Sequence, residues 1–153
     1  MKNILFLMLI GVPVLLLGQS KAESEINAFL DQWHLDAANV DREAYFGKID
    51  DKGIYIGTDA GEIWTKQEFY EWAEPQFTGD GKAWGFKAIE RNVYFGKGIT
   101  YVWFDELLSF SAGTLRGSGV LIKREDEWKI LHYVLSLPVP NEKFRAVMDV
   151  INE

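Results

Sequence analysis

Cysteine is missing from all 153 residues, and histidine occurs only twice. The first absence removes thiolate zinc sites, iron-sulfur clusters, thiol nucleophiles and a lipoprotein-type acylation cysteine; the second leaves little from which to build a histidine-rich metal centre. Basic residues are scarce as well, 16 against 23 acidic ones, for a formal charge of -7. Nucleic acid and anionic membranes are captured by clustered positive charge, so neither is an expected partner. Nucleophile elbows, phosphate-binding glycine loops, zinc signatures, internal repeats and low-complexity stretches do not occur. No cofactor and no metal is expected. What is present is apolar content: 48% hydrophobic and 14% aromatic residues, enough for one compact domain with a real core and too much for a disordered chain.

The first 22 residues read as an address. Lys2 precedes an apolar run, residues 4–17, broken only by Gly11 and Pro13 and too short to span a bilayer comfortably. Small residues follow in Ser20-Lys21-Ala22, which fits a secretory signal peptide over residues 1–22 with cleavage after Ala22; cleavage after Gly18 and retention as an N-terminal anchor are the alternatives. The expected location is therefore secreted or periplasmic, without stable membrane insertion once the signal is removed. Cleavage removes two lysines and no acid, taking the charge from -7 to -9. Residues 23–153 are expected to form the working domain.

Ser24 can cap a helix in which Ile26, Phe29, Leu30, Trp33 and Ala37 recur at helical spacing, and Asp41 can cap a shorter piece through Phe46. Residues 53–58 (GIYIGT) read as a short strand. Thr65 and Glu68 have capping-box spacing, which starts a helix at Lys66 that Pro75 ends or kinks. Four stretches then follow, residues 82–95, 99–110, 114–124 and 127–137, rich in aromatic and β-branched residues. Separated by Gly96-Lys97-Gly98, Ser111-Ala112-Gly113 and Glu125-Asp126, they read as consecutive antiparallel strands. Pro138 and Pro140 stop the last one, and Asn141 can cap a final helix with Phe144, Val147, Met148 and Ile151 on one side. Helices first and a meander afterwards argue for α+β, with helices on one face of a curved sheet.

Several of these segments carry a resemblance. Trp33-His34-Leu35-Asp36-Ala37-Ala38, Gly57-Thr58-Asp59, Trp64-Thr65, Trp103-Phe104-Asp105-Glu106, the run from Arg116 to Leu121, Trp128-Lys129-Ile130 and Leu135-Ser136 with Pro140-Asn141 together resemble a SnoaL-like domain of the nuclear transport factor 2-like superfamily. The resemblance covers about residues 24–150, and 103–141 is its specific part. It implies a cone-shaped fold, helices packed on a strongly curved antiparallel sheet enclosing a pocket, commonly as a homodimer. That superfamily contains ketosteroid isomerase, limonene epoxide hydrolase, polyketide cyclases and a kinase association domain, so fold alone does not give function.

Strand alternation sorts the candidate residues once the turns are placed. With Ala112-Gly113 and Glu125-Asp126 as two-residue turns, Glu106 pairs with Gly119 and Gly119 with His132. Glu106 and His132 then share a face with Phe104, Leu121, Ile130 and Ser136, where a carboxylate beside an imidazole suits general acid/base chemistry. A structural hydrogen bond is the other reading of that histidine. The opposite face collects Trp103, Asp105, Arg116, Ser118 and Tyr133, with Asp105 and Arg116 as a carboxylate-guanidinium pair; this face is either a dimer contact or, with a one-residue slip, the pocket lining. Asp59 and Glu62 lie in a loop suited to binding, Asp59 also to an Asx-turn; His34 lies beside the stripe of the first helix, and Trp64 is a candidate pocket wall. A metal site from His34, His132 and a carboxylate has no ligand motif behind it.

Three functions remain open on these residues. One is an exported domain that binds a small, largely apolar molecule in an aromatic-lined pocket. The second is a cofactor-independent isomerase, dehydratase, cyclase or epoxide hydrolase, and the third a dimeric protein-interaction module.

Overall fold

The computed structural model describes residues 12–78, 83–96 and 100–152, with side chains from Lys21 onward. Helix α1 (Val12–Ala38) leads into α2 (Arg42–Gly47), strands β1 (Ile49–Ile56) and β2 (Ile63–Thr65), helix α3 (Lys66–Trp72) and a 3-10 turn, Glu74–Phe77. Strands β3 (Lys87–Phe95), β4 (Tyr101–Phe110), β5 (Gly113–Arg124) and β6 (Glu127–Ser136) follow, then a 3-10 turn, Asn141–Lys143, and α4 (Phe144–Ile151). The fold is α+β: one curved, unclosed six-stranded sheet in the order β2-β1-β6-β5-β4-β3, carrying α1, α2 and α3 on its concave face. The meander is antiparallel as expected, and β1 joins its β6 edge in parallel.

Local chemistry fixes several boundaries. Asp41 caps α2 by accepting from the Ala44 amide, and Thr65 with Glu68 closes a reciprocal capping box on α3. Helix α3 stops at Trp72, and Pro75 enters the 3-10 turn that follows. Ser24, by contrast, does not begin a helix: α1 is continuous from Val12 through both expected cleavage positions, and residues 1–11 of the expected signal lie outside the described residues. Lys97 and Gly98 of the first expected turn lie outside them too. Asn141 provides no side-chain cap, and α4 has no buried residue, so the apolar side formed by Phe144, Met148 and Ile151 is exposed.

Two departures reset the sheet register. The β4-β5 turn is Ser111-Ala112, because Phe110 pairs with Gly113; Glu106 therefore stands opposite Gly117, two residues from its expected partner and on the same face. The second departure changes faces. From Arg124↔Glu127 to Leu121↔Ile130 the β5-β6 pairing is the expected one, but Val120 pairs with His132, so β6 carries an extra residue at Leu131. A β-bulge of this kind sends every later side chain to the opposite face. Tyr133 and Leu135 consequently point into the core, whereas His132 and Ser136 point away from it.

Aromatic rings fill the concave side. Trp33 stacks on Tyr45 at 4.9 Å and meets the ring of Tyr133 edge-on at 4.8 Å, while Tyr55 stacks on Phe69 at 4.0 Å. Ile26 and Leu30 of α1 and Val102, Phe104, Leu108 and Leu121 of the sheet complete an apolar interior. Burial of this row, at about 1.5–3 kcal/mol per large apolar side chain, is what holds α1 against the sheet.

Candidate functional site

Strand β4 turns Val102, Phe104, Glu106 and Leu108 toward the core. A carboxylate in that apolar row, 1% exposed, is tolerable only if it is paired and hydrogen-bonded. Three elements supply the partners. Arg91, directly across from Glu106 on β3, donates from Nε to Oε2 at 2.9 Å, and its Nη2 makes an ion contact of 2.8 Å with the same oxygen. His34 of α1 meets Oε1 at 2.8 Å; an ionised carboxylate only accepts, so Nε2 carries the proton and donates. Tyr133 of β6 donates its hydroxyl to Oε1 at 3.0 Å.

The arginine is itself held. Its Nη1 lies 2.9 Å from Asp31 Oδ1 and donates to the carbonyl and side-chain oxygens of Asn27 at 3.1 and 3.2 Å. Asn27, Asp31 and His34 are one turn apart along α1, so the network pins that helix to β3, β4 and β6 together. Burial raises the pKa of Glu106, but the hydrogen bond from His34 and the charges of His34 and Arg91 outweigh it and hold the carboxyl below its usual 4.5. Burial, and then the charge of Glu106, push the Tyr133 hydroxyl well above 10.0. Near neutral pH the carboxylate is therefore ionised and the phenol neutral. Gly117, opposite Glu106, makes the contact possible: a Cβ there would stand 2.2 Å from the Tyr133 hydroxyl.

The expected Glu106-His132 pair does not form, and the bulge at Leu131 is the reason. The imidazole that reaches Glu106 belongs to His34, which the sequence singles out without giving it a partner. A metal site joining His34 to His132 is likewise ruled out, since the two lie on opposite sides of the sheet; among the described residues no group of three or more ligand-type side chains is placed to hold a metal. Arg91 was not foreseen. Alternation on β3 carries the signal, because Arg91 belongs to the row of Val93 and Phe95 and a buried acid on the next strand requires a base.

The remaining candidates scatter. Asp105 lies on the outer face and accepts from Asn92 at 3.2 Å and Tyr94 at 3.0 Å; it forms no ion pair with Arg116, which the actual turn sets opposite Leu107. Trp103 is 48% exposed and stacks on Tyr94, and Ser136 donates to the Arg116 carbonyl. Asp59 forms the expected Asx-turn, accepting from the Gly61 amide at 2.8 Å.

Trp64, one of the expected pocket residues, lines a cavity among the described residues. A cleft of about 160 Å³ lies between β1, β2, α3 and the segment ahead of β3. Its walls include Tyr55, Trp64, Phe69, Trp72, Trp84 and Phe86, and one carboxylate, Glu62, enters it. Glu62 Oε2 accepts from the Asp59 amide at 3.1 Å, so the Asx-turn loop aims the acid. Neither Glu106 nor His34 reaches this cleft. Among the described residues no helix is long and apolar enough to cross a membrane.

Comparison with known proteins agrees with this architecture. The family model of the SnoaL-like domain matches residues 26–140. An NTF2-like protein of unknown function from Pseudomonas putida superposes with a TM-score of 0.67 at 15% identity, over 81% of this chain and 92% of that one. An NTF2-like protein from Cytophaga hutchinsonii gives 0.60 at 12% identity, over 76% and 98%. A protein of unknown function with a cystatin-like fold from Nostoc punctiforme gives 0.63 at 12% identity, over 76% and 90%. No curated protein matches the chain. At these identities the solved structures speak for the fold.

Proposed function

Since this chain belongs to the SnoaL-like domain family, we propose that it works as an exported domain that binds a small, largely apolar molecule in the aromatic cleft beside α3. The observation that carries the reading is the contrast between two sites. At Glu106 the two carboxylate oxygens already accept three hydrogen bonds and the ion contact from Arg91, inside a packed interior. Such a group holds structure and has no spare capacity to take a substrate proton. Beside α3 six aromatic side chains leave space, and a single acid with no cationic partner among the described residues enters it. Binding sites are commonly built this way, from apolar walls and few polar groups.

The cleft is smaller than the roughly 300–1,000 Å³ usual for drug-sized ligands, so its occupant is small or inserts only one end. Export rests on the Lys2-led apolar start followed by the small residues Ser20 and Ala22. Homodimerisation is the second part of the proposal, through the outer sheet face, where Tyr94, Tyr101 and Trp103 are between 41% and 51% exposed. A thermal-shift screen with small apolar acids, ketones, epoxides and amines tests the binding reading: a ligand present at 100 times its Kd stabilises the fold by about 2.7 kcal/mol. A response lost in Trp72→Ala supports the cleft. A panel that raises the melting temperature of neither protein removes the proposal.

A further inference from the structure

Resting on the reading that the cleft beside α3 binds a small molecule, we propose that its ligand is an organic cation, an alkyl- or quaternary-ammonium group, held by tryptophan faces and by the Glu62 carboxylate. The charge inventory of the cleft is one-sided. Among the described residues Glu62 is its one carboxylate, and no lysine or arginine lines it. Nearby cations are engaged elsewhere: Lys66 with Asp51 at 2.9 Å, and Arg42 over the ring of Tyr70 at 3.6 Å. The single side-chain hydrogen bond that Glu62 makes is to a neutral amide, which aims the carboxylate and leaves its charge uncompensated among the described residues. That charge is felt within the cleft, where it adds to the burial that raises the Tyr55 hydroxyl pKa.

The walls match the same chemistry. Trp64 and Trp72 lie 4.7 Å apart with their planes inclined by 31°, and Trp84 stacks against Phe69, itself stacked on Trp64. Indole presents the most electron-rich face of any side chain, and alkylated ammonium groups, which carry few N–H donors or, when quaternary, none, are recognised by such faces, with a nearby acid adding charge attraction. A neutral apolar ligand would use the walls and leave the carboxylate to be desolvated for nothing; an anion would be repelled. The backbone has made room for the acid. Gly57 lies beside Glu62 so closely that a Cβ would stand 2.1 Å from Oε2, so any other residue there would displace the carboxylate.

The test compares choline with its neutral isostere 3,3-dimethylbutan-1-ol, titrated by calorimetry into the full chain, Glu62→Gln and Trp72→Leu. Glutamine keeps an oxygen for the Asp59 amide and removes only charge. Choline is expected to bind the unaltered protein about tenfold more tightly than the alcohol, to lose roughly that factor in Glu62→Gln, and to weaken in Trp72→Leu, with the alcohol unaffected by Glu62→Gln. Equal affinity for the two probes overturns the cation proposal while leaving a small-molecule cleft in place. Choline binding that survives both substitutions places it elsewhere and overturns the proposal too. Binding of neither probe overturns it as well, and the screen of neutral and acidic ligands then decides separately whether the cleft binds anything.

Discussion

His34 Nε2 and Glu106 Oε1 lie 2.8 Å apart although 72 positions separate them in the chain, one on the first helix and the other in the middle of the sheet. Both are buried. Their contact, with Arg91 and Tyr133 completing the shell of the carboxylate, makes a polar rivet through an otherwise apolar interior. Its energetics follow from which member is removed.

Arg91→Leu leaves the Glu106 charge buried without its cation and is expected to cost about 3–5 kcal/mol. Glu106→Gln should cost less, because Arg91 keeps Asp31 and Asn27. Urea denaturation of the two variants gives the order, and an equal loss in both would show that Asp31 and Asn27 do not compensate Arg91 once Glu106 is neutral.

Acid should weaken the fold in a defined direction. The folded pKa of Glu106 lies below its usual 4.5, so its contribution is fully present above that value and is lost as pH falls through the lower, folded one. Asp50, lowered chiefly by its hydrogen bond from Arg124, adds to the same slope. Unfolding midpoints measured from pH 6 downward should therefore decline less steeply in Glu106→Gln than in the unaltered chain; parallel curves would contradict the assignment.

The two histidines should behave oppositely. His34→Ala deletes a hydrogen bond to a buried charge, a loss of about 1.5–3 kcal/mol. His132→Ala, on the outer face, should stay within about 0.5 kcal/mol. Reversed magnitudes would mean that β6 carries no bulge at Leu131.

Gly117→Ala should destabilise by about 1–3 kcal/mol, because its methyl group would displace the Tyr133 hydroxyl from Glu106. In a Tyr133→Phe background part of that cost should vanish, and a double-mutant cycle reads the difference. Strict additivity would indicate that the methyl group meets something else.

An alkaline absorbance titration should divide the six tyrosines. Burial first of all raises Tyr45, Tyr55 and Tyr133, so these three should ionise only as the protein unfolds. Six tyrosines titrating together below the unfolding transition would show that the interior is wet.

Much of the site was half-legible. Glu106 and the glycines of β5 fall on the expected face because the turn error was two residues, an even number, which preserves alternation. The bulge adds one residue, an odd number, and so exchanges His132 for Tyr133. Nothing in Ile130-Leu131-His132 marks that insertion, since a bulge is chosen by how the strand must curve around its helices. Asp59 and Glu62 were recognisable as a loop suited to binding, but the aromatic walls around Glu62 come from four separate segments.

Periodicity, caps and turn residues by themselves determined the α+β class, the inward row of β4 and the succession of elements apart from β2, which reads as loop in the sequence, because those features depend on neighbours a few positions away. Tertiary structure alone decided which imidazole meets Glu106, that Arg91 neutralises it, and that the aromatic cleft beside α3 lies away from the acid. Those outcomes depend on how α1 and α3 dock on a bent sheet, and docking is set by the summed packing of distant side chains, which no local pattern encodes.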